Sequence, residues 1–271
     1  MQDGEVMPER NIKEELLKIV YTGDREISVE VLKFIMEQGV RPIALILPAE
    51  NMATHAQELL ALCKYLHNSR VLRGDQFLRE YGISLLRDLR PDYIICVHLP
   101  YIFPREVLEI PKHGVLNLHP AYLPHNRGWH TPSWAIWEET PHGATLHFMD
   151  EGVDTGDIIH QKQIEILPND TADTLYKRIM KLEIEVFKEA WPFIVAGTYN
   201  RKPQRIESGS THKKTDITSI QFVDLDKQVK SGDLIRLLRA LTTNDIKESA
   251  YFKADNKLYR MQIRIVKDKS S

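Results

Sequence analysis

The chain has 271 residues, 42% of them hydrophobic, with a formal net charge of −2. That is enough for a real core in one large unit or in a large and a small one, and it makes a soluble globular protein the expectation. Two cysteines, Cys63 and Cys96, exclude a disulfide framework, and no run of about 18 apolar residues marks a membrane span. The first residues, MQDGEVMPERNIKEE, are charged and lack the apolar centre of a secretion signal, so a cytoplasmic protein is expected. The near-neutral total hides an asymmetry: residues 201–271 hold 16 Lys and Arg against 9 Asp and Glu, and the first 200 hold 20 against 29. A C-terminal piece of +7 attracts a phosphate-bearing molecule or nucleic acid, or is a solvated surface.

Residues 1–13 carry no periodicity and read as a mobile arm. LLKIVYTG predicts a strand near Leu17 to Gly23, ISVEVLKFIMEQG an amphipathic helix ending at Gly39, and RPIALILP a second strand. Strand, helix and strand within about 30 residues predict a right-handed parallel crossover and an α/β fold. The turn TGDREIS lacks the glycine spacing that a dinucleotide pyrophosphate needs. Helices are expected over residues 49–68 and 74–90, and a buried strand from Asp92 to Leu99. Further on, IIHQKQIEI is a strand, and residues 172–197 form a long helix ended or kinked at Trp191–Pro192. Near Thr198 the composition becomes that of a linker or exposed loop, which divides the chain into 14–200 and 201–271. VKSGDLIRLLRAL is then a helix, and SAYFKADNKLYRMQIRIV a hairpin turning at Asp255–Asn256. Two strands alone are marginally stable, so this piece must pack on the large unit or on a second subunit.

The stretch from His113 to Gln161 is the densest in chemistry. GVLNLH reads as a buried strand that delivers Asn117 and His119 to its carboxyl end, where open parallel sheets place their sites. One residue separates them, so both side chains point to one side. An amide donates to a developing oxyanion, and an imidazole takes a proton or stabilises negative charge, a pairing suited to acyl transfer. The missing carboxylate is offered by the turn holding Asp150, Glu151, Asp154 and Asp157, with Asp154 in VDTGD the choice. Seven histidines in the stretch raise a metal site as a rival. No pair lies at i, i+4 beside an acid, and neither cysteine has a second soft ligand nearby, so no metal is expected.

NLHPAYLPHNRG, followed by GATLHFMDEGVDTGDII, resembles the 10-formyltetrahydrofolate-dependent formyltransferase superfamily over about Leu17 to Gly197. The superfamily includes methionyl-tRNA formyltransferases, glycinamide ribonucleotide transformylases and nucleotide-sugar N-formyltransferases. The resemblance implies a Rossmann-like, mostly parallel α/β sheet carrying the catalysis, with the small α+β C-terminal piece beyond it. It also implies that Asn117, His119 and Asp154 are the catalytic set, and that His147 matches a further site histidine. The formyl donor would be 10-formyltetrahydrofolate, its pterin held at Tyr101, Ile102, Val107, Val115, Asp150 and Val153, partly through backbone groups. For Val107 and Val115, ordinary core packing is an equal reading.

The acceptor divides the superfamily. The tRNA enzymes carry a C-terminal barrel of about a hundred residues, whereas about 70 remain here, and the loop HPAYLPHNRGWHTPSWAI resembles those of nucleotide-sugar N-formyltransferases. Arg127, Trp129 and His130 are then candidate contacts to a sugar and its diphosphate, with Trp134 and Trp137 as helix core. The leading reading is transfer of a formyl group to the amine of a nucleotide-linked deoxyamino sugar, dTDP-type first, of the kind used in O-antigen and other surface glycans. A homodimer through the C-terminal piece is expected. Methionyl-tRNA formylation, formyltetrahydrofolate hydrolysis and a catalytically idle folate-binding protein are the alternatives.

Overall fold

The computed structural model describes residues 17–268, so the arm expected over residues 1–13 lies outside the described residues. β1 (Ile19–Gly23) is buried at every position, the pattern of a strand covered on both faces. α1 (Arg25–Glu37) turns Ile27, Val31, Leu32 and Ile35 inward, and β2 (Ala44–Leu47) pairs with β1 in parallel. Asp24, in the turn between β1 and α1, accepts hydrogen bonds from Thr54 N, Thr54 Oγ1 and His55 N. The chain after β2 is therefore tied to that turn, and α2 occupies only Ala56–Leu62 of the helix expected over 49–68. The helix expected over 74–90 is also interrupted. A 3-10 turn, Gly74–Leu78, precedes α3 (Glu80–Leu89), because Arg79 between them is extended. β3 (Val71–Arg73), with three residues, is too short to show alternation in the sequence.

β4 (Tyr93–Val97), the short α4 (Arg105–Leu108) and β5 (Gly114–His119) complete five parallel strands. A two-residue strand, β6 (Arg127–Gly128), and α5 (Thr131–Glu138) lead to β7 (His142–Phe148) and β8 (Ile158–Ile164), which close the sheet as antiparallel strands. The strand order is β3-β2-β1-β4-β5-β7-β8. The fold is α/β with a mostly parallel sheet, and its order reverses between β1 and β4. The crevice outside the carboxyl ends of the strands at such a reversal is where open α/β sheets bind ligands.

α6 (Ala172–Ala196) starts at Thr171, whose hydroxyl accepts from Thr174 N, and stops at Gly197 with φ +64°. It runs through Pro192, contrary to an end at Trp191–Pro192. Proline removes one donor, but the buried Trp191 and Ile194 on either side hold the last turn against the core. One face of the sheet packs on α1 and α6, the other on α3 and α4.

Beyond α6, residues 201–212 run along the large unit, where composition alone reads as a linker. β9 (Thr211–His212) pairs in parallel with β6, and Lys202 bridges Ile158. α7 (Ser231–Ala240) packs on α5. β10 (Ala250–Ala254) and β11 (Lys257–Met261) form the hairpin, turning at Asp255 and Asn256 with φ of +49° and +61°, as a two-residue type I′ connection requires. Trp134, Ile217, Leu241 and Ala250 form the cluster between the two units. The hairpin region thus packs on the chain's own large unit.

Candidate active site

β5 carries Asn117 and His119 on one face at its carboxyl end, both almost fully buried. Asp154 reaches them from the turn between β7 and β8, with its own backbone in the left-handed region at φ +54°. Asn117 Nδ2 donates to Asp154 Oδ1 at 3.2 Å, and Gly128 N donates to Oδ2 at 2.9 Å. His119 Nε2 lies 3.5 Å from Oδ2. The sequence-derived triplet is therefore brought together around one carboxylate.

His147 on β7 faces Asn117 across the ladder. Its Nδ1 donates to the Phe148 carbonyl at 2.7 Å, which leaves Nε2 to accept from Asn117 Nδ2 at 3.1 Å. The two amide hydrogens of Asn117 thus point at Asp154 and His147. That orientation is the stable one, because the reverse would set the amide oxygen against a carboxylate.

Burial is the largest influence on both ionisable members. It pushes the His119 imidazole below the ordinary histidine range, and the neighbouring Asp154 offsets this only in part. Burial alone would raise the Asp154 carboxyl, but the neighbouring His119 and His147 rings and the Gly128 N–H outweigh it and hold the group well below the usual carboxylate range. His119 Nε2 is buried with no hydrogen-bond partner. The arrangement is an ionised carboxylate, an amide donor and an imidazole whose one unpartnered nitrogen is shielded from water. Such a site can take a proton at Nε2 and stabilise negative charge on an adjacent oxygen.

The other expected residues divide. Ile102 and Val153 are 71% and 44% exposed, apolar surface on the loop before α4 and on the turn between β7 and β8, where Arg105 Nε of α4 lies 3.8 Å from Glu151 Oε1. Tyr101 is half-buried, with its hydroxyl accepting from Ala49 N. Asp150 Oδ1 accepts from Gly152 N and Thr155 Oγ1, so it braces the turn that carries Asp154. Val107 and Val115 lie inside the second core cluster, at 0% and 1% exposure, and their side chains offer a ligand no surface. Arg127 is buried and donates to Thr211 Oγ1 and the Ile206 carbonyl, so its guanidinium is engaged within the chain. His130 faces Glu248 Oε1 and the Lys214 carbonyl, while Trp129 is exposed with Lys214 Nζ over its ring. Trp134 is core and stacks on His212.

Two groups here were missed by sequence reasoning. Gly128 supplies the N–H that holds Asp154, and Gln204 Nε2 donates to the carbonyls of Asp154 and Gly156. Beside the site, His98 has φ +57° and places Nε2 2.7 Å from Glu183 Oε1. Glu183 is fully buried, on the inward face of α6. A charged residue on an apolar helix face was the available signal. Among the described residues, no group of three or more His, Cys, Asp or Glu side chains is placed to hold a metal ion, and no helix is long and apolar enough to cross a membrane.

Residues 50–191, more than half of the chain, match the formyl transferase family. The chain belongs to that family. Residues 216–267 match a second model, the N-formyltransferase dimerization C-terminal domain. The methionyl-tRNA formyltransferase of Geobacter sulfurreducens is 31% identical over 194 residues, 69% of this chain and 61% of that protein. The chain thus spans less than two thirds of the length of such curated relatives. A sugar N-formyltransferase from Shewanella sp FDAARGOS_354 superimposes with a TM-score of 0.80 at 24% identity, covering 94% of this chain and all of that one. The formyltransferase PseJ from Anoxybacillus kamchatkensis, in complex with UDP-4,6-dideoxy-4-formamido-L-AltNAc and tetrahydrofolate, gives 0.56 at 28% identity over 74% and 88% of the two chains.

Proposed function

We propose that this formyl transferase moves a formyl group from 10-formyltetrahydrofolate to the amine of a nucleotide-linked deoxyamino sugar, with dTDP the first nucleotide to test. The observation that carries the chemistry is the buried, unpartnered Nε2 of His119 beside the ionised Asp154 and the Asn117 amide. The residues beside it fit the folate donor: the exposed Ile102 and Val153 supply apolar surface for a flat ring system, with Arg105 and Glu151 next to them. When bound, the donor supplies an activated formyl carbon for the amine to attack.

His119, kept neutral by burial, takes a proton from the incoming amine at Nε2. The resulting imidazolium is stabilised by Asp154, and with one Asn117 N–H released from His147 it offsets the charge on the formyl oxygen. It then gives its proton to the folate nitrogen as the bond to the formyl carbon breaks and tetrahydrofolate leaves. Asp154 stays ionised throughout and keeps both donors oriented. Arg127 acts in this reading by holding the loop rather than by touching substrate, while Trp129, His130 and the nearby Lys214 are the side chains available to the acceptor.

Support for a sugar acceptor comes from the PseJ relative, which was solved with a nucleotide sugar. The sequence likeness to methionyl-tRNA formyltransferases favours the second reading, formylation of that tRNA. The test is formyl transfer from 10-formyltetrahydrofolate to thymidine, uridine and guanosine diphosphate amino sugars, with methionyl-tRNA alongside. Product on a sugar alone is expected. Transfer to tRNA alone would overturn the reading, and formate release without an acceptor would identify a hydrolase.

A further inference from the structure

Residues 201–212 lie beyond the part of the chain that matches the formyl transferase model, yet several of their contacts end at Asp154 or at groups that hold it. Gln204 Nε2 donates to the Asp154 carbonyl at 2.9 Å and to the Gly156 carbonyl at 2.7 Å. Asp154 needs such restraint, because at φ +54° a residue with a Cβ sits in a sparsely populated region that persists only where its surroundings impose it. Arg201 Nε reaches Asp157 Oδ2 at 2.9 Å, and Lys202 and Ile158 exchange main-chain hydrogen bonds at 2.8 and 2.9 Å. The far side of the turn is thereby held as well.

The same segment fixes the second support of the carboxylate. Arg127 N donates to the Ser210 carbonyl and Trp129 N to the His212 carbonyl, each at 3.0 Å. Along a strand successive N–H groups point in opposite directions, so pairing residues 127 and 129 with the segment aims Gly128 N the other way, at Asp154 Oδ2. Arg127 Nε adds a bond to Thr211 Oγ1.

We infer that residues 201–212 are a positioning strap for the site, with Gln204 as a positioning residue that keeps the Asp154 carboxylate against Asn117 and His119. Its catalytic consequence rests on the function proposed above; its geometric content does not. Other charged or titratable groups face the His119–Asp154 pair: His98 beyond β4, Cys96 on β4, His147 and His142 on β7, and Arg127 on β6. Variants at Gln204 leave all of these in place. Withdrawal of the carboxylate removes the influence that raises the affinity of His119 for its proton, so the imidazole titrates at a lower pH.

The experiment uses the full chain without ligands. The His119 ring is titrated by NMR in the wild type and in Gln204→Met, which keeps the length of the side chain and removes the donor. A downward shift of about half a pH unit or more is expected. Should Gln204→Met lack a native circular dichroism spectrum, Thr211→Val, which removes only the hydroxyl that Arg127 contacts, is measured in the same way. An unchanged His119 titration in a folded variant overturns the strap. With an acceptor in hand, Gln204→Met should lower kcat roughly 10- to 100-fold and leave the KM for the folate unchanged. A wild type that formylates nothing removes the proposed function, while the titration still decides the strap.

Discussion

Asn117 and Asp154 meet at 3.2 Å although one lies on a central strand and the other in a turn 37 residues later. The contact is directional, a donor against an acceptor, and it sets which way the amide faces. Hydrogen bonds to a charged partner contribute more than neutral ones, about 1.5–3 kcal/mol each.

Replacing that donor separates catalysis from folding. Asn117→Ala should lower kcat about 100-fold or more, about 3 kcal/mol of barrier, with a native circular dichroism spectrum. Asn117→Asp sets a second carboxylate against Asp154, where like charges resist ionising together. One folded-state pKa then rises above the unfolded value. The variant's stability is therefore retained at acid pH and lost as pH rises from about 4 towards 7. Thermal melts across that range should fall for Asn117→Asp relative to Asn117→Ala, and parallel curves would show that the two carboxylates do not meet.

Gly128 is the other support, and its lack of a side chain is required twice. Its φ is +88°, and a Cβ there would sit 2.3 Å from the His212 carbonyl oxygen. Gly128→Ala must open the β6–β9 pairing and pull the N–H from Asp154. A loss of about 1–3 kcal/mol in chemical denaturation is expected together with a loss of kcat. A variant as stable and active as the wild type would show that the loop adapts.

What was legible in the sequence was local. The strand ending at Asn117 and His119 and the hairpin at Asp255–Asn256 are each written within a few residues, by a buried apolar pattern and by turn chemistry. Asp154 entered through its motif rather than through any pattern linking it to β5. Gln204 is 50 residues from the carbonyl it holds, and Glu183 is 85 from His98, so neither pairing leaves a periodic trace. The limits of α2 had the same cause, since Asp24 captures residues 30 and 31 positions away. Arg127 was expected to face a substrate diphosphate; the partners that engage it, Ile206 and Thr211, lie about 80 residues on.

His142 gives a pH signature in stability. It is fully buried, neither ring nitrogen has a hydrogen-bond partner, and burial, with the charge of His119 nearby, pushes its pKa down to about 3. In the unfolded chain the same ring gains its proton near the ordinary value of about 6.5. The folded state is thus penalised progressively as pH falls from about 6.5 to about 3, by up to about 1.4 kcal/mol per unit. His142→Leu removes that penalty and forfeits no hydrogen bond. Its stability relative to the wild type, measured by urea unfolding, should improve between pH 7 and pH 4. A constant difference over that range would mean that the ring is not held neutral.

The hairpin poses the question of what covers it. Leu258 and Tyr259 are neighbours on β11 and so point to opposite faces, yet both are exposed, at 49% and 43%. Neither face of the ribbon is fully covered by its own chain, and Phe222, at 52% exposure, adds apolar surface beside Tyr251 of β10. A two-stranded ribbon with two open apolar faces is poorly stable in water, and residues 216–267 match a dimerization domain, so a second copy is the proposed cover. Burying one such side chain contributes about 1.5–3 kcal/mol, and a dimer of two identical chains buries two, which is about 100-fold or more in the dissociation constant. Leu258→Lys should therefore move the sedimentation equilibrium from dimer towards monomer while the monomer keeps its fold. If wild type and variant both sediment as monomers at micromolar concentration, the hairpin is not the interface.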